Sequence, residues 1–124
     1  MRDSLELRLV KHFMKTLELT QLIYNTLEEH RATNIASIDV SSRTDITDLL
    51  IICSARSKRH AKSLADRIIK VSKNNGFTPY GVEGKTEAVW ILVDLQDIII
   101  HILLPEVREF YHLEKLWHPE NAYC

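Results

Sequence analysis

Apolar positions recur along the chain at two spacings, and the switches between them divide it into elements. Leu19, Leu22, Ile23 and Leu27 fall three or four residues apart, which predicts a helix from about Leu17 to His30. From Asn34 to Val40 the period drops to two, with Ala36, Ile38 and Val40 on one side of a strand. Leu49 to Ala55 is an unbroken apolar run, as in a central strand covered on both faces. Between these strands lies a polar cluster (Ser41, Ser42, Thr44, Asp45, Thr47, Asp48) of turn-forming and capping residues. Ser57 offers an N-cap to a second helix marked by Ala61, Leu64, Ala65 and Ile68, and Gly76 supplies its stop. A short strand, Phe77 to Val82, runs into the glycine-bounded segment Gly81-Val82-Glu83-Gly84. Glu87 to Asp94 and Asp97 to Leu104 then read as two strands joined by Leu95 and Gln96, an antiparallel hairpin. Pro105 ends the last strand, and Glu106 to Trp117 reads as one or two short helices. The order predicts an α/β (α+β) fold, a mixed sheet of about five strands flanked by helices. Residues 1–13 differ in pattern from the rest of the chain, and Met14 is a natural start. The division expected is an extension over 1–13, a domain over 14–118 and a tail over 119–124.

A two-residue loop fixes which residues of the hairpin face each other. With Leu95 and Gln96 as the loop, Asp94 opposes Asp97, Leu92 opposes Ile99, Trp90 opposes His101 and Ala88 opposes Leu103. These side chains share one face. The other carries Val89, Ile91, Val93, Ile98, Ile100 and Ile102, wholly aliphatic and suited to burial under helices. Two readings of the mixed face fit the pattern. Trp90 is either an interface anchor, where indole area gives affinity and its N–H gives direction, or a core residue beneath another element with His101 hydrogen-bonded inside. Asp94 and Asp97, directly opposed, repel each other and belong at an exposed tip or beside a basic partner.

Charge sharpens this picture. The 124 residues carry a formal net charge of −1, unlike the clearly basic balance of an electrostatic nucleic-acid binder. Yet Arg56, Lys58, Arg59, Lys62, Arg67, Lys70 and Lys73 stand against Asp66 alone. From Glu83 to Glu120 eight acids face Lys85, Arg108 and Lys115. A basic partner would meet the C-terminal half. The two cysteines form no disulfide framework or metal-ligand spacing, and no apolar stretch is long enough to span a bilayer, so a cytoplasmic protein without membrane contact is expected. Of six histidines (His12, His30, His60, His101, His112, His118) none pairs with cysteine or acid at ligand spacing, so no metal or cofactor is expected. Asp45 or Asp48 with a divalent metal would suit a nucleotidyltransferase-type enzyme, and the Arg56–Lys73 helix an RNA-binding module; a turn-and-cap role and a solvated face are the plainer readings. Ser54-Ala55-Arg56-Ser57, at a strand-to-helix junction, is a weak anion site.

The ordered series resembles the ribosomal silencing factor (Iojap-like) family, over about Leu17 to Trp117. It begins with Ile38-Asp39-Val40 and Thr47-Asp48, continues with Ser57, Arg59-His60 and Ala65-Asp66, and is sharpest at Gly81-Val82-Glu83-Gly84, Trp90, Asp94-Leu95, Asp97, His101, Arg108, Tyr111, Leu113-Glu114 and Leu116-Trp117. Where the family usually has glycine between the hairpin's leucine and second aspartate, this chain has Gln96. The resemblance implies a nucleotidyltransferase-like fold without catalytic equipment, in keeping with the lack of a glycine-serine pair opening the helix after Leu49–Ala55. It implies a non-enzymatic factor that binds large-subunit ribosomal protein fourteen, sterically blocks joining of the two ribosomal subunits and so represses translation when nutrients are scarce. The partner-binding residues expected are Trp90, Glu83, Asp94, Asp97, His101, Arg108 and Tyr111. A secondary contact of the basic helix with ribosomal RNA and a homodimer of the free protein are compatible with it.

Overall fold

The structure, a computed structural model, describes residues 3–42 and 47–111 and, within them, every side chain but those of residues 3, 110 and 111. The elements are α1 (Asp3–Glu29), β1 (Thr33–Asp39), β2 (Leu49–Ser54), α2 (Lys58–Asn74), β3 (Gly81–Glu83), β4 (Trp90–Asp94), β5 (Ile98–Leu103) and α3 (Pro105–Tyr111). They build one five-stranded mixed sheet in the order β1-β2-β5-β4-β3. The two central strands, β2 and β5, run parallel; every other neighbouring pair is antiparallel. The unbroken apolar run of β2 is explained by this position, since Leu50 to Ser54 are all buried.

One face of the sheet carries Ile51, Cys53, Ile91, Val93, Ile98, Ile100 and Ile102, all buried against Leu19, Ile23 and Leu27 of α1 and Ala61, Leu64, Ala65 and Ile68 of α2. Each fully buried Leu or Ile contributes about 1.5–3 kcal/mol relative to exposure, so this layer is where the fold is held. A second, smaller cluster lies on the opposite face, where Ile52 and Leu103 pack with Ile38, Trp90 and Val107 of α3. The start of α2 is as anticipated: Ser57 accepts a hydrogen bond from the His60 N–H. His60 itself is buried, its Nδ1 accepting from the Arg56 N–H and its Nε2 bonded to the His30 carbonyl, so it locks α2 to the end of α1. The N–H groups an anion would need at this junction are thus occupied by the chain's own side chains.

Three local expectations are corrected. α1 begins well before Leu17, at Asp3, and crosses the Phe13–Met14 boundary without a break. Leu5, Glu6, Leu7, Arg8, Leu9 and Lys11 are good helix formers, and no glycine or proline interrupts them. Burial periodicity could not reveal this half because it buries nothing. The fourth strand starts at Trp90 rather than Glu87, because residues 84–88 form a turn closed by the Ala88 N–H on the Gly84 carbonyl, with both residues at positive φ. The hairpin register is offset by two residues: Trp90 pairs with Leu103, Leu92 with His101 and Asp94 with Ile99. The loop residues are Gln96 and Asp97, not Leu95 and Gln96, since the Leu95 N–H already bonds the Ile98 carbonyl. Gln96 stands at φ 77°, the conformation of the first central residue of a type II′ turn, where glycine is the unstrained choice. The polar-turn residues 43–46, including Asp45, and everything after Tyr111 lie outside the described residues.

Candidate docking face

An offset of two preserves face parity, so the mixed face survives the correction. Cross-strand partners put Glu83, Leu92, His101 and Ile52 in one row, and Gly81, Asp94, Ile99 and Leu50 in the next. Trp90, Leu103 and Ser54 form a third. Among the described residues, α3 is the helix that packs on this face, and it covers the Leu103 end. Trp90, Leu92, Asp94, Ile99 and His101 remain half-buried, and Glu83 is exposed at the edge. An aliphatic centre beside an aromatic, with carboxylates at the margin, has the make-up of an interface core and rim.

Trp90 and His101 are diagonal neighbours rather than opposed. The indole Nε1–H donates to His101 Nδ1 at 2.9 Å, with ring centroids 5.9 Å apart. That bond requires the imidazole proton on Nε2. Burial pushes the His101 pKa down to about 4, so the ring is neutral and able to accept at physiological pH. Because the folded value lies below the ordinary 6.5, the unfolded chain binds the extra proton. Stability contributed by neutral His101 is complete above pH 6.5 and is lost as pH falls towards 4, by at most about 3 kcal/mol. His101→Gln keeps an acceptor but does not titrate. Urea melts between pH 7 and 4 should therefore show a steeper loss for the native chain than for this variant; parallel curves would exclude His101 as the titrating group.

The other expected site residues separate. Asp94 stays on the mixed face, and its carboxylate also accepts the Gln96 N–H at 2.8 Å, capping the turn. Asp97 does not oppose it. Its carboxylate meets His12 of α1 at 2.8 Å, so it points towards the helical side of the sheet. Nothing in a sequence reading signals this pair, which lies 85 residues apart. Arg108 donates to Ser54 Oγ at 3.0 Å and to the Asn34 carbonyl, clamping α3 across β2 to the bulge of β1 at one end of the face. The Tyr111 side chain lies outside the described residues. Leu92 and Ile99, which fill the centre of the face, were missed because aliphatics in a strand read as core.

The features suggesting chemistry are not assembled into a centre. Asp48 is exposed in a groove with Asp39 and Asp97, and among the described residues no group of three or more His, Cys, Asp or Glu could hold a metal ion. Cys53 is buried, and its thiol is pushed up to about 12 by that burial. Among the described residues no helix is long and apolar enough to cross a membrane. The bases of α2 are all exposed, on the side of that helix facing away from the sheet; Asp66 among them pairs with Lys85.

The pattern that defines the family "Ribosomal silencing factor during starvation" matches residues 14–123. The chain belongs to this family. A ribosomal silencing factor from Haemophilus influenzae is 42% identical over 101 residues, covering 82% of this chain and 99% of that protein. The mouse protein named "Mitochondrial assembly of ribosomal large subunit protein 1" is 35% identical over 99 residues, 77% of this chain and 43% of its own length. A crystal structure of a Chromobacterium violaceum protein superposes with a TM-score of 0.79 at 33% identity, covering 82% of this chain and 84% of that one. The family is thus one of ribosome-associated silencing factors, and its members are named as such rather than as enzymes.

Proposed function

We propose that the chain docks on the large ribosomal subunit through its Trp90 face, binding ribosomal protein fourteen, and blocks joining of the small subunit. The observation that carries this reading is the half-buried row of Trp90, Leu92, Ile99 and His101 edged by Glu83 and Asp94. It offers a basic protein an apolar centre and a negative margin. The family's name supports the ribosome as target, and the name of the mouse relative supports the large subunit. No covalent step is required: an occupied joining surface excludes the other subunit for as long as the factor resides there. Arg108 holds one end of the face in shape, and Asp97 contributes through the turn it occupies.

The basic side of α2 suits a secondary contact with ribosomal RNA, because seven exposed bases face one acid that is already paired. It lies on the helical side of the sheet, away from Trp90. The two contacts would therefore bind separate parts of a partner rather than one continuous patch.

Sedimentation of mixed ribosomal subunits with added protein tests the proposal. The expected result is fewer joined ribosomes and the protein travelling with the large subunit. Unchanged joining, with no protein in the large-subunit fractions, would overturn it.

A further inference from the structure

The first half of α1 has no structural partner commensurate with its surface. Ahead of Leu19, its first buried residue, α1 exposes Leu5 (57%), Leu9 (61%), Val10 (53%), Phe13 (62%) and Leu17 (53%). Leu5, Leu9, Phe13 and Leu17 are spaced by four and form one continuous stripe. A helical segment of this length is marginal by itself in water. Most of the stripe also precedes residue 14, where the family match begins.

We infer that this stripe pairs with the same stripe of a second copy, antiparallel, about a two-fold axis beside Lys11. Reversal about residue 11 brings Leu5 against Leu17 and Leu9 against Phe13, so the stripe is complementary to itself. Those five side chains offer roughly 100 Å² each, about 1,000 Å² across two copies, which reaches the lower bound of a specific interface. A two-fold that reverses one helix against the other must leave both domains on the same side of the pair. Arg8 lies eleven residues before Leu19, about 20° from it around the helix, so it projects to that same side. The groove there, of about 530 Å³, lies between Phe13 and Leu17 of α1 and Leu49, with Asp39, Asp48 and Asp97 around it. Arg8 of each copy is thereby carried over an acidic groove of the other. The pairing uses the helical side of the sheet and leaves the Trp90 face open.

Sedimentation equilibrium of the full chain up to about 200 μM decides this, with affinities compared through the dissociation constant. A concentration-dependent dimer is expected. Leu9→Glu combined with Phe13→Glu should weaken it at least about 100-fold, the effect of losing two central anchors. Arg8→Glu should weaken it about tenfold at low salt, and less at high salt. These residues are exposed, so the thermal melts should be unaltered. Trp90→Ala should leave the dimer intact. A chain that stays monomeric overturns the inference, as does a dimer that survives the double substitution. Dissolution by Trp90→Ala would place the contact on the other face and overturn it too. So would a monomer whose co-sedimentation with the large subunit is lost on the double substitution, since the stripe would then serve the ribosome.

Discussion

Trp90→Ala is expected to reduce affinity for the large ribosomal subunit by at least about 2 kcal/mol, roughly thirtyfold, in a protein that still folds. The indole contributes on two counts. Its area fills the centre of the exposed row, and its N–H is committed to His101 Nδ1, so the ring is held in one orientation before any partner arrives. Trp90→Phe separates the two, keeping most of the area and losing the donor, and should fall between the native chain and the alanine variant. Trp90 also packs in the cluster with Ile52, Leu103 and Val107, so some stability will be lost as well. Binding is therefore compared at a temperature where circular dichroism shows each variant fully folded. A folded Trp90→Ala chain that binds with native affinity would remove this face from the docking surface.

Gly84→Ala should have the largest effect on the fold, about 3 kcal/mol of destabilisation. A Cβ at Gly84 would stand 2.1 Å from the Trp90 carbonyl oxygen and 3.2 Å from its carbon, and φ is +81°. The obstacle is backbone, so no rotamer change relieves it. The β3–β4 pairing of Glu83 with Leu92 would have to open, or Trp90 to move. Gly76 is the internal control: its φ is +85°, yet a Cβ there meets nothing within 4 Å. Gly76→Ala should then cost only the conformational penalty, about 1 kcal/mol. Denaturant midpoints for the two variants measure the difference; equal losses would mean that the close approach to Trp90 carries no energetic weight. Because the clash falls on the backbone of Trp90, Gly84→Ala should also weaken docking.

The legible parts of the sequence are those where the forces are local. Leu49–Ser54 declares itself by composition, because a strand covered on both faces has no polar side. Ser57 and Gly76 declare the ends of α2, because capping acts within three residues. The mixed face was legible too, since side-chain parity survives a register offset of two. The register itself was not, because Leu95 and Gln96 lack the residues that mark a tight turn, and the conformation falls on Gln96 at a positive φ that glutamine does not advertise. The Glu87–Val89 stretch misled for a similar reason: it alternates like a strand, but Gly84 and Ala88 close it into a turn. The separation of Asp97 from Asp94 depends on His12, and the clamp of Arg108 on Ser54 and Asn34, contacts made only once distant segments meet. The front half of α1 escaped because it was sought through burial.

The parallel ladder at the centre of the sheet has a consequence during synthesis. Leu49 to Ser54 find their partners at Ile98 to Leu103, forty-nine residues later, whereas β1 and β2 can zip together at once. Closing so long a loop is slow compared with forming a local hairpin. Until β5 leaves the exit tunnel, β2 presents a bare edge made of Leu, Leu, Ile, Ile and Cys, the kind of template on which nascent chains aggregate. Anything that stalls translation between residues 54 and 98 strands the chain in that state. The yield of this protein in a cell should therefore depend on how steadily its middle third is translated.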